Sequence, residues 1–170
     1  GVWTLRFLLL GLAITPLSDL TGARSLIAYR RMIGLFAFFY LVLHFTVYMV
    51  LDRTLDLGLI AEDIVKRPFI TIGFVALLML IPLAITSTRG WMRRLGRRWK
   101  SLHRLVYPAA ILGVWHYYWQ VKLDTLEPTV YAVILAVLLG YRVVQKRAKS
   151  RRIASRKARQ SPGQTASQTR

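Results

Sequence analysis

Few side chains in this 170-residue chain are able to do chemistry. There is no cysteine, which excludes disulfides, thiolate metal sites, iron–sulfur clusters and cysteine nucleophiles together. No G-x-G-x-x-G or P-loop run is present to hold a nicotinamide or a nucleoside triphosphate, and the acids sit in connections where they offer no buried proton relay. Three histidines remain, and two of them, His44 and His116, fall inside long uncharged runs. An ionisable group in such surroundings is costly and is a functional candidate, although a single imidazole hydrogen-bonded between helices is an equally ordinary structural feature. Spacing separates these readings. His44 lies 13 residues after Arg31, and His116 lies 13 residues after His103. At about 1.5 Å per residue, both imidazoles stand about 20 Å along their helices. Two imidazoles at equal height on parallel helices can face each other across a planar ligand, and they suit the two axial positions of a b-type heme. Filling both positions favours electron transfer over oxygen chemistry.

The elements that must carry these residues are legible in composition. The chain is 55% hydrophobic, with mean hydropathy +0.41, yet its 25 Lys and Arg against 7 Asp and Glu give a formal charge of +18. A soluble nucleic-acid-binding globule would need more polar surface, and a disordered basic chain would be poor in Phe, Trp and Leu. Segregation along the sequence reconciles the two properties, with apolar blocks in lipid and basic blocks in water. Val2–Leu17 is apolar apart from Arg6, Met32–Leu51, Phe69–Ser87 and Leu105–Val121 hold no charge, and Thr129–Val144 carries only Arg142. Five spans are expected, because about 20 apolar residues cross a hydrocarbon core and snorkelling or aromatic flanks extend the shorter runs. The runs lack the alternation of a membrane barrel. The expected fold is thus all-α, a polytopic membrane helical bundle. Of the 25 basic residues, 20 fall in Ser18–Arg31, Thr88–Arg104 and the stretch from Arg142 onward, while Asp52–Pro68 and Lys122–Pro128 hold six of the seven acids. Cytoplasmic loops collect Lys and Arg, so the basic side and the C-terminus are expected in the cytoplasm. Gly1 then falls outside, and six spans are expected in the full protein. The spans bearing His44 and His116 are two apart, hence parallel.

Other positions keep several roles open. His103 sits level with Arg31 rather than with another histidine, so it can ligate a second heme alone, bond a propionate, or be an interfacial imidazole. Arg31 can pair with a propionate or simply follow the positive-inside bias. Thirteen residues turn a helix by about 140° from its starting face, so His103 and His116 share a face only if the helix is distorted, for which Pro108 offers a cause. Phe45, Tyr48, Trp115, Tyr117 and Tyr118 are candidates to wall a macrocycle or to form an interfacial aromatic belt. Residues 1–146 form the expected membrane domain and 147–170 a disordered basic tail, which lacks aromatics for base stacking and suits anionic lipid better than nucleic acid. A His-dependent proton or solute transporter stays open as another class.

Several motifs in order carry a resemblance. Ile14-Thr15-Pro16-Leu17, Arg30-Arg31 with Met32-Ile33-Gly34-Leu35, His44-Phe45, Lys66-Arg67-Pro68-Phe69-Ile70-Thr71-Ile72-Gly73, Thr86-Ser87-Thr88, Trp99 with Leu102-His103-Arg104-Leu105-Val106-Tyr107, and His116-Tyr117 are the residues concerned. Over about Val2–Tyr141 the chain resembles the MsrQ family of heme-binding membrane subunits of the bacterial periplasmic methionine sulfoxide reductase system. That family lies within the ferric-reductase-like transmembrane group. The resemblance implies a multi-pass protein of the bacterial inner membrane. It would pass electrons from the quinone pool, or from a cytosolic flavin reductase, through heme to a periplasmic molybdenum-containing subunit that repairs oxidised methionines. The cofactors implied are one or two b-type hemes and a flavin mononucleotide, for which no residue is assigned. Arg31 stands where oxidase relatives would place a fourth histidine, and these 170 residues hold no flavin or nicotinamide domain. A ferric or small-molecule reductase of the same group is the alternative.

Overall fold

A computed structural model of the chain describes residues 1–121 and 125–160, without the side chains of 156–160. Its helices are α1 (Val2–Thr21), α2 (Leu26–Val47), α3 (Leu57–Lys66), α4 (Pro68–Ile85), α5 (Arg89–Leu95), α6 (Arg97–Leu102), α7 (Val106–Gln120) and α8 (Leu126–Gln160). A π turn at Tyr48–Asp52 continues α2, and a 3-10 turn at His103–Leu105 precedes α7. No strand occurs among the described residues.

Local chemistry sets the breaks. Gly22, at φ 72°, closes α1 with its N–H on the Ser18 carbonyl at 3.0 Å, a conformation that only glycine adopts freely. The Asp56 carboxylate caps α3 by accepting from the N–H groups of Gly58 at 2.8 Å and Leu59 at 3.1 Å. Pro68 starts α4 at a position where its missing N–H is not needed. Pro108 falls in the first turn of α7, which is equally tolerant, so the break before α7 comes from the 3-10 turn and not from a kink inside the helix.

Among the described residues, four helical segments are long and apolar enough to cross a membrane: Val2–Thr21, Leu26–Asp52, Pro68–Ile85 and Leu126–Ser155. The remaining apolar run, Leu105–Val121, forms α7, whose 15 residues reach about 22 Å, short of a hydrocarbon core. It begins one residue later than expected because His103–Leu105 winds separately. The basic segment 147–160 continues α8, consistent with the absence of Gly and Pro between Tyr141 and Gln160; 161–170, the rest of the expected tail, lies outside the described residues. Lys122 and Asp124 of the acidic-side connection lie outside them as well.

Packing is centred on α1. One buried cluster joins Leu5, Leu9 and Leu12 of α1 to Ala110 and Val114 of α7 and Tyr131 and Leu135 of α8. A second joins Leu8 to Ala37 of α2, Leu80 and Leu83 of α4 and Ala109 of α7. The fully enclosed positions Ala37, Ala109 and Ala110 are small, which lets helix backbones approach where lipid supplies no hydrophobic drive between them. Phe36, Phe39, Val42, Leu43 and Val47 of α2 face outward, as a lipid-facing surface would. Arg6, the charge within the first run, is paired: its Nε donates to the Tyr131 hydroxyl at 2.8 Å and its guanidinium lies 3.5 Å from Glu127.

Candidate functional site

Helices α1, α2, α4 and α7 enclose a cavity of about 540 Å³, within the usual range of ligand sites. Its walls are mainly apolar, with Leu8, Leu41, Phe45, Phe74, Leu77 and Leu80 among them, and both His44 and His116 line it. The two imidazoles have ring centres 6.4 Å apart and planes inclined by 63°. The equal-depth expectation thus brings together the pair it named.

His116 is fixed from α4. Its Nδ1 lies 2.7 Å from the Phe69 carbonyl oxygen. A carbonyl only accepts, so Nδ1 carries the proton and Nε2 keeps its lone pair, the arrangement in which a second partner orients a metal-binding imidazole. The contact is possible because α4 carries Gly73 where the ring packs: a Cβ there would lie 2.9 Å from both Cε1 and Nδ1 of His116. Phe69 and Gly73 are four apart on α4, so one face of that helix supplies both the carbonyl and the vacant space.

The cavity fits a planar iron macrocycle in two respects. With metal–imidazole bonds of about 2 Å, as at zinc, two imidazoles on opposite sides of one metal place their ring centres roughly 6 Å apart, and 6.4 Å is observed. The donor set is a pair of imidazoles with no carboxylate between them, and among the described residues no cluster of three or more His, Asp or Glu exists to hold a bare metal ion. Thr4 Oγ1, on the cavity wall, is buried with no hydrogen-bond partner.

The remaining sequence candidates divide. Phe45, Tyr48 and Tyr117 line the cavity, whereas Trp115 and Tyr118 are exposed and outside it. His103 does not reach the cavity. Its ring stacks on Trp99 at 3.9 Å, its Nδ1–H donates to the Trp99 carbonyl at 3.2 Å, and burial lowers its pKa from the ordinary histidine value. Trp99 is itself held by its Nε1–H on the Thr86 carbonyl at 2.9 Å. Arg31 is exposed and away from the cavity, and the cation whose charge bears on His103 is its neighbour Arg30. Sequence reasoning passed over the Phe69 carbonyl, the seat at Gly73, and Arg53 and Arg67, which line the cavity mouth. A glycine inside an otherwise bulky apolar run was the available signal for the seat.

Residues 1–114 match the family model described as ferric reductase like transmembrane component. A protein of Xanthomonas campestris pv. campestris named protein-methionine-sulfoxide reductase heme-binding subunit MsrQ is 57% identical over 156 residues, covering 92% of this chain and 71% of the relative. Proteins of the same name from Xanthomonas euvesicatoria pv. vesicatoria and Agrobacterium fabrum are 56% and 57% identical, covering 92% and 85% of this chain and 72% and 67% of theirs. No solved structure matches the chain.

Proposed function

The chain belongs to the MsrQ family of ferric-reductase-like transmembrane proteins, and on that premise we propose that it is a membrane electron-transfer subunit in which His44 and His116 are the axial ligands of one b-type heme. The observation carrying this reading is the imidazole pair 6.4 Å apart in an apolar cavity, with His116 held in the tautomer that leaves Nε2 free to ligate. Heme held by these two imidazoles would supply a one-electron carrier. Phe69 and Gly73 orient His116, and Leu8, Phe45, Phe74 and Leu77 keep water from the imidazoles.

In this reading the protein is the heme-binding partner of a methionine sulfoxide reductase, as the names of its relatives state for them. It takes electrons from the quinone pool or a cytosolic flavin reductase and delivers them to a periplasmic molybdenum-containing catalytic subunit in a heterodimer. The charge bias supports an inner-membrane topology with the C-terminus in the cytoplasm. Arg31 then serves topology. His103, stacked and hydrogen-bonded by Trp99, serves structure rather than ligating a second heme. No step runs through the flavin mononucleotide that the resemblance also implies.

Reconstitution in liposomes tests this. The purified chain should carry one low-spin heme, be reduced by a quinol or by a flavin reductase, and be reoxidised only when the catalytic subunit and a methionine sulfoxide are both present. Reduced heme that ignores that couple but is reoxidised by ferric chelates would replace this reading with a ferric reductase.

A further inference from the structure

The cavity that holds the imidazoles has a charged mouth. Arg53 and Arg67 line it, and both guanidiniums engage one carboxylate, Asp63. Arg67 Nε lies 3.1 Å from that carboxylate, Arg53 pairs with its other oxygen, and the Tyr48 hydroxyl donates to it at 2.8 Å. Asp63 is buried and its oxygens are fully engaged, so two guanidiniums share a single negative charge. Arg53 Nε is buried without a partner, and buried donors are ordinarily satisfied. Asp52 also lines the mouth, but it is exposed and makes no hydrogen bond or ion pair with either guanidinium.

The backbone that sets Arg53 there is costly. The π turn Tyr48–Asp52 leads into Thr54 and Leu55, both at positive φ (48° and 61°), and the turn is closed by Leu55 N–H on the Met49 carbonyl at 2.8 Å. Non-glycine residues adopt this region at a cost that the surrounding structure must offset. The lining of this mainly apolar cavity therefore includes surplus guanidinium donors, and a carboxylate is the planar anion that guanidinium forks match.

We propose that Arg53 and Arg67 receive the carboxylate groups of the tetrapyrrole that His44 and His116 ligate, so that the mouth holds its anionic edge while the apolar walls hold its faces. This inference rests on the heme reading above.

The test uses the full chain, prepared heme-free in nanodiscs and titrated with heme b and with heme b dimethyl ester, which keeps iron and macrocycle but has no ionised carboxylate. Wild type should bind the free acid about ten- to a hundredfold more tightly than the ester, the range for hydrogen bonds to charged groups. That preference should shrink to within about threefold in Arg53→Gln/Arg67→Gln, roughly what neutral donors leave, while Asp52→Asn keeps or enlarges it. Arg67 is half-exposed, so Arg67→Gln alone, expected to lose part of the preference, serves if the double variant does not fold. Equal binding of the two ligands by wild type, or an undiminished preference in Arg67→Gln and the double variant, overturns the proposal and leaves the heme reading intact. Binding of neither ligand overturns both.

Discussion

His116 and His103 both donate Nδ1–H to a backbone carbonyl, at 2.7 and 3.2 Å, yet their other surroundings differ completely. Beside His116 stands a second imidazole across 6.4 Å of an apolar cavity. Against His103 lies the face of Trp99 at 3.9 Å, and the cavity does not extend to it. A carbonyl partner alone therefore does not mark a metal ligand, since it satisfies a buried imidazole in either role. In the proposed reading, what sets His116 apart is the space in front of its ring. The cavity supplies that space beside His116, whose ring Gly73 seats, whereas Trp99 covers the face of His103.

This contrast can be broken by substitution. The largest effect on heme binding is expected from Gly73→Val, because a Cβ at 2.9 Å from the His116 ring must displace it from the Phe69 carbonyl. Losing the partner that orients a ligand typically costs about 10- to 100-fold in affinity, and heme content after purification should fall accordingly; full retention would show that the seat is not needed. Next comes Asp63→Ala, which leaves two guanidiniums without their carboxylate. Breaking such a buried pair costs about 3 kcal/mol, and thermal denaturation in detergent should register it while the low-spin spectrum of the folded fraction persists. At the other end, His103→Phe keeps the stack on Trp99 and removes one hydrogen bond, for a loss of about 1 kcal/mol and no change in heme content. A fall in heme content there would put a second ligand at His103. The smallest effect is Asp56→Ala, which uncaps α3 at about 1 kcal/mol or less at this exposed position and should leave both ends of the comparison untouched.

Much of the bundle was legible because lipid imposes one dominant rule. Apolar runs became α1, α2, α4 and α8, the first and last of these runs each carrying one arginine and extended at their ends, and equal spacing from the basic boundaries placed His44 and His116 at one depth. The run Leu105–Val121 was nearly right in extent, losing Leu105 to the 3-10 turn at His103–Leu105 and Val121 at its end, but the resulting α7 is short for a span. Helix α3 was hidden inside a segment read as a connection, although Asp56 before Leu57-Gly58-Leu59 is an ordinary capping position. The charged mouth was illegible for a different reason. Arg53, Asp63 and Arg67 meet only because the π turn and the positive-φ pair Thr54-Leu55 fold the chain back on itself, and no composition signal announces such a turn without glycine.

The central claim is that one iron macrocycle lies between His44 and His116, and optical spectroscopy of the purified wild type beside His44→Ala, His116→Ala and His103→Ala tests it most directly. A low-spin b-type spectrum in wild type and His103→Ala that disappears in both of the other variants is the predicted result. Persistence of that spectrum in either His44→Ala or His116→Ala would contradict it.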